Sequence, residues 1–219
     1  MMLMKRFSSL ISATLLAAAL LTGCDMVHYY FSSSYVLGYM EVGGIELKQE
    51  GGAIAILPDA VAGRVSVQSE GEEREQYDAI CAEHGDVAYN RNVGLVSDII
   101  TEWGLHPDIA SVTVTSDKDF DAAHPAGTPL NDCTELTYCS AYDYVSSGYD
   151  QSFLTNDTPK EKTEPLTEVS AGELSLMLED YGLLTFTASP ETKGAHRISV
   201  TLNAADGRRF SASMDYEFN

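Results

Sequence analysis

Ile198-Ser199-Val200-Thr201-Leu202-Asn203-Ala204-Ala205-Asp206-Gly207-Arg208-Arg209-Phe210 reads as a strand, a turn and the start of a second strand. Ile198, Val200 and Leu202 alternate with Ser199, Thr201 and Asn203, the period-two pattern of a strand with one buried and one wet face. Asp-Gly between two such runs is a strong short-range hairpin signal, because both residues tolerate the positive φ of a tight turn. The chain is therefore expected to return as a strand from Phe210 to Phe218.

The texture upstream is similar. Val112 and Val114 alternate within 109–115, and short apolar runs at 36–41, 45–49, 53–57, 64–69, 93–100 and 184–188 are divided by turn residues such as Gly43-Gly44, Gly51-Gly52 and Pro58-Asp59. Two places depart from it. The stretch 72–83, with Tyr77, Ile80 and Cys81, fits either a short helix or a loop. Ser170 and Glu173 form a capping-box pair ahead of Leu174, Met177, Leu178 and Tyr181 at helical spacing, although Leu174, Leu176 and Leu178 also alternate as a strand would. Two polar stretches, 117–132 and 156–167, read as loops. The chain from 35 to 219 is thus expected to be one mainly β domain with one or two short helices.

The N-terminus has a different character. Lys5 and Arg6 precede an apolar run from Leu10 to Leu21, and no acid occurs before Asp25. This run is short for a bilayer crossing, which takes about 20 apolar residues, and it has the build of an export signal. Leu21-Thr22-Gly23-Cys24 resembles the lipobox of bacterial lipoproteins. The resemblance implies cleavage before Cys24, acyl chains on that cysteine, and a short tether over 24–34. Several acyl chains hold a protein on a membrane where one holds it only marginally. The expected location is the bacterial cell envelope, with the outer membrane preferred to the inner.

The hairpin ending resembles the last two strands of bacterial immunoglobulin-like domains, which implies an immunoglobulin-like β-sandwich, clearest over 109–219. More loosely, Ser116-Asp117-Lys118-Asp119-Phe120-Asp121 and His124-Pro125-Ala126-Gly127 resemble segments of uncharacterised lipoproteins of Bacteroides-type bacteria. That group implies no activity.

Charge limits the partners. The chain carries 13 basic and 33 acidic residues, a net charge of −20. With Lys5 and Arg6 removed in the signal, 11 basic residues remain against the same 33 acids, or −22. Such a surface opposes nucleic acid, whose phosphates need cations, and anionic lipid, so membrane attachment falls to the acyl chains on Cys24.

Four sets of residues are candidates for chemistry. Cys133 and Cys139 are close enough in sequence for a small disulfide loop if the backbone turns back, with Cys81 left over. Asp117, Asp119 and Asp121 have the alternate spacing of a calcium loop. Ala122 and Thr128 stand where an EF-hand needs Gly and Glu, so only a weaker site completed by carbonyls, or a solvated loop, is left. No other cofactor is expected. His84, His106 and His124 lack paired zinc spacing, Cys81-x-x-His84 being the only close pair, and His106-Pro107-Asp108 matches the J-domain tripeptide without its basic helices. Tyr138, Tyr142, Tyr144 and Tyr149, interleaved with Ser and Asp, suit a recognition loop for a glycan or protein, or else Tyr142 and Tyr144 share one face of a strand and pack inward.

No nucleophile elbow, phosphate loop or His-Glu-x-x-His motif is present in the sequence. A non-enzymatic binding or assembly module is the expectation. The alternatives are a carbohydrate- or protein-binding surface using the tyrosine segment, and a hydrolase with an unfamiliar site.

Overall fold

A computed structural model describes residues 29–59, 63–89, 91–94, 103–179 and 182–219. Cys24, the lipobox and the signal lie outside them. The chain divides into two compact units. Of the smaller (Met1–Tyr30 with Asn92–Ile99), the described residues belong to two strands, β1 (Tyr29–Ser32) and β6 (Arg91–Gly94), which pair with each other. The larger unit (Phe31–Arg91 with Ile100–Asn219) holds everything that follows.

The expected hairpin forms. β14 (Gly194–Ala204) and β15 (Arg209–Phe218) pair antiparallel, with Val200 opposite Ala212 and Leu202 opposite Phe210. β8 (Ile109–Ser116) joins the other edge of β14, placing Val114 beside Val200. Ile198, Val200 and Leu202 are fully buried, while the outer face carries hydroxyl pairs: Ser199–Ser213 and Thr201–Ser211, each 2.8 Å apart. Alternation alone produces both faces, because successive side chains of a strand point to opposite sides.

A five-stranded antiparallel sheet forms the second layer. It is built from β3 (Gly44–Glu50), β4 (Ala53–Asp59), β9 (Thr134–Tyr138), β12 (Lys162–Pro165) and β13 (Leu183–Phe186), in the order β12-β9-β13-β4-β3. Ile54, Ile56, Leu136 and Leu184 of this sheet share one apolar core with Val112, Val114, Ile198, Val200, Leu202 and Phe210 of the first. Tyr216 Oη, on β15, donates to Gly52 O at 2.8 Å and ties the two layers at one edge. The architecture is therefore mainly β and sandwich-like, as expected.

A third sheet has β2 (Gly38–Glu41) at its centre, antiparallel to β5 (Arg64–Ser66) and parallel to β7 (Trp103–His106). Helix α1 (Gly71–Glu83) buries Tyr77, Ile80 and Cys81, and Tyr77 Oη donates to Val36 O at 2.8 Å. The ambiguous stretch is thus a helix. Two shorter helices follow, α2 (Tyr142–Ser146) and α3 (Ala171–Ser175), giving three among the described residues where one or two were expected. A two-stranded ladder of β10 (Leu154–Thr155) and β11 (Thr158–Pro159) completes the elements.

Three expectations about the chain's course are corrected. The capping box of Ser170 and Glu173 forms, but its helix stops after one turn. Met177 and Leu178 leave it for bridges to Ser140 and Gly104, and Leu174, Leu176, Met177 and Leu178 are all buried. The polar stretch 156–167 is not simply a loop: β12 pairs along β9, its polar residues suiting the exposed edge of a sheet. The tether expected over 24–34 gives way to strand β1 from Tyr29, and Ser32 and Ser34 are buried.

Candidate functional site

A cleft of about 390 Å³ opens between the third sheet and α1. Tyr39 and Glu41 reach it from β2, Arg64 and Val65 from β5, Glu73 and Gln76 from α1, and His106 from the end of β7. The volume is in the range of small-ligand sites, roughly 300–1,000 Å³.

Its charged groups are held in place. Arg64 lies over the Trp103 ring at 4.8 Å and pairs with Glu179 at 3.2 Å. Glu41 pairs with Arg208 and lies 3.7 Å from His106 Nε2, and Arg208 in turn bonds Asp206 at 2.7 Å. Gly104 lets the backbone of β7 close on Tyr39, since a Cβ there would stand 2.7 Å from the ring.

Two of the lining residues each carry a polar atom turned away from solvent. Tyr39 Oη and His106 Nδ1 are buried, and neither has a hydrogen-bond partner among the described residues. A buried polar group without a partner costs about 1–3 kcal/mol. Burial also pushes the Tyr39 hydroxyl well above its ordinary pKa, helped by the nearby Cys81 and Asp86. The phenol is therefore neutral and able to donate. Only His106 of this set was singled out from the sequence. The others escaped because they come from three separated segments with no shared motif.

The tyrosine segment serves a different purpose. Tyr138 and Tyr144 are fully buried, and only Tyr142 is exposed. Tyr138 Oη donates to Glu164 at 2.9 Å. Tyr144 and Tyr149 pack with Tyr35 and Tyr89, ring centroids 4.7–5.9 Å apart. Tyr142 lies over Gly172, where a Cβ would meet its ring at 2.6 Å. The four tyrosines do not share one recognition surface; the alternative of Tyr142 and Tyr144 packed inward from one strand face is met only by the burial of Tyr144, since Tyr142 is exposed and both lie on helix α2.

The disulfide expectation is also corrected. Cys81, Cys133 and Cys139 are all free and buried. Cys133 and Cys139 stand at opposite ends of β9, an extended strand with neighbours on both sides. Six residues of strand span roughly 20 Å, whereas a disulfide needs Cα atoms within about 7 Å. Burial pushes the Cys81 and Cys139 thiols up to about 11, so neither is an activated thiolate.

Asp117, Asp119 and Asp121 do not form a calcium loop. Asp117 accepts from Arg197 N, Asp119 from Ala126 N, and Asp121 from Ala123 N and His124 N, each at 2.8 Å. Each carboxylate braces a different stretch of backbone. Asp121 belongs instead to another group: a donor atom from each of Asp121, His124 and Cys133 lies within 4.8 Å of the other two. His124 Nδ1 is 2.8 Å from Asp121 and Nε2 is 3.0 Å from Asp132. The bond from Asp121 raises the His124 pKa above its ordinary 6.5.

One serine–histidine pair exists among the described residues. Ser116 Oγ and His196 Nδ1 are 2.8 Å apart, and His196 Nε2 faces Thr192 O at 3.2 Å. The carbonyl can only accept, so Nε2 carries the proton and Ser116 donates to Nδ1. Both side chains are buried, and Phe120 and Phe218 pack against the imidazole. The pair is an internal link between β8 and β14, closed to substrate.

No family model matches the chain, and no curated protein or solved structure matches it either. No helix among the described residues is long and apolar enough to cross a membrane.

Proposed function

We propose that this chain is a bacterial envelope lipoprotein, attached through acyl chains on Cys24, whose domain is a non-enzymatic module that binds a glycan in the Tyr39–His106 cleft. The observation that carries the ligand site is one ligand-sized cleft onto which four separate segments bring Glu41, Arg64, Glu73, Gln76 and His106. Carboxylates, an amide, a guanidinium and an imidazole around one hollow offer donors and acceptors on several sides, which suits a polyhydroxylated ligand. The acidic surface favours a neutral sugar over an anionic one.

The binding reading is favoured over a hydrolase with a serine or cysteine nucleophile by the state of those side chains. The three described thiols and the Ser116–His196 pair are all buried.

Two experiments test the halves separately. Fatty-acid labelling in cells is expected to mark the wild-type chain and not Cys24→Ala; equal labelling of both would remove the anchor. Glycan-array binding followed by calorimetry is expected to find a neutral oligosaccharide that Glu73→Gln and Gln76→Ala bind at least about tenfold more weakly. Both residues are exposed on α1, so their melting temperatures should stay unchanged. No binding to any glycan, or binding indifferent to both changes, would overturn the cleft as the site.

A further inference from the structure

We propose that Asp121, His124 and Cys133 bind a divalent transition-metal cation of the zinc class, with Asp132 beside them. A donor atom from each of the three lies within 4.8 Å of the other two, and Asp132 reaches the remaining side of the imidazole at 3.0 Å.

The donor set selects the metal. Calcium and magnesium take oxygen ligands, whereas imidazole with thiolate is the chemistry of zinc and its neighbours. The group is also built on fixed backbone. Asp121 is held by the N–H groups of Ala123 and His124. Cys133 ends a 3-10 turn whose Asn131 side chain is tied to Val112 O at 2.8 Å and Val114 N at 3.1 Å. Phe120, one residue before Asp121, is buried in the core and anchors the loop.

Both ring nitrogens of His124 face a carboxylate. With Nδ1 turned to the metal beside Asp121, Nε2 keeps Asp132 as its carboxylate partner, the arrangement that orients metal-bound histidines and raises their basicity. Three side-chain ligands leave one tetrahedral position, open to water. Binding releases the Cys133 thiol proton to solvent.

The test uses the full chain in detergent, stripped of metal and titrated with cobalt(II). One equivalent should produce a thiolate-to-cobalt charge-transfer absorption that zinc then removes. Cys133→Ser should lack the band, and His124→Gln and Asp132→Asn should each weaken zinc binding by more than about tenfold, the scale of effect seen for groups around a metal. Should Cys133→Ser fail to fold, His124→Gln, whose side chain is partly exposed, carries the test alone. Absence of the band in the wild-type chain would overturn the site, as would a band that survives in Cys133→Ser or zinc affinity unchanged in His124→Gln.

Discussion

Tyr149 Oη donates to Asp86 Oδ1 at 3.0 Å, and that carboxylate, with no exposed surface, also accepts from the backbone N–H groups of Tyr35 and Val36 at 2.8–3.0 Å. One acid therefore fastens the segment after helix α1, the entry to β2 and the end of the tyrosine segment. Burial pushes its pKa above the ordinary 3.8, and the hydrogen bonds from Tyr35, Val36 and Tyr149 recover only part of that shift.

Asp86→Ala would leave these donors buried without an acceptor. At about 1–3 kcal/mol for each unsatisfied group, the loss should reach several kcal/mol, a fall in Tm of roughly 10 °C for a domain of this size. Thermal denaturation checks it, and a melt within about 2 °C of wild type would show that the contacts are replaced by water.

The two tyrosines of α2 should behave oppositely. Tyr144→Ser removes a fully buried ring and should cost about 3–5 kcal/mol, whereas Tyr142→Ser, at an exposed position, should cost about 1 kcal/mol or less. Urea unfolding of both variants measures the difference directly.

The carboxyl of Glu173 is pushed up by burial and then carried below its ordinary 4.5 by bonds from Lys162 and Tyr138. A carboxyl held below its unfolded value stabilises the fold above that value and loses the contribution as pH falls through the folded pKa. The Lys162 contribution should therefore be full above about pH 4.5 and vanish progressively in more acid solution. Melting curves of wild type and Lys162→Met should converge as pH drops; a constant gap across that window would refute the coupling.

Two of the three thiols should be silent in the folded protein. A thiol reagent is expected to titrate Cys81 and Cys139 only after denaturation, and reductant should leave Tm unchanged. A Tm that falls on reduction would mean that a Cys133–Cys139 bridge forms after all.

Crowding at glycine offers a further check on the third sheet. A Cβ on Gly38 would lie 2.4 Å from the Trp103 ring. Gly38→Ala should displace the indole at a cost of about 1–3 kcal/mol, seen as a lowered melt and a shifted tryptophan emission.

The sequence by itself determined the β character, the hairpin of β14 and β15, the turn between them and the capping box at Ser170. Each rests on neighbours in the chain: strand alternation has a period of two, a tight turn is set by two residues, and a cap is closed within four. Only the tertiary structure decided the rest. Whether Leu176–Leu178 continued a helix depended on Ser140 and Gly104, and whether 156–167 stayed a loop depended on β9. Cys133 and Cys139, near in sequence, were separated by an extended strand. Asp121, His124 and Cys133 were gathered by a loop and a 3-10 turn, and the Tyr39–His106 cleft by four segments. The reason is physical: burial, hydrogen-bond partners and donor distances at these sites are set by residues far away in the chain, whose positions no local pattern records.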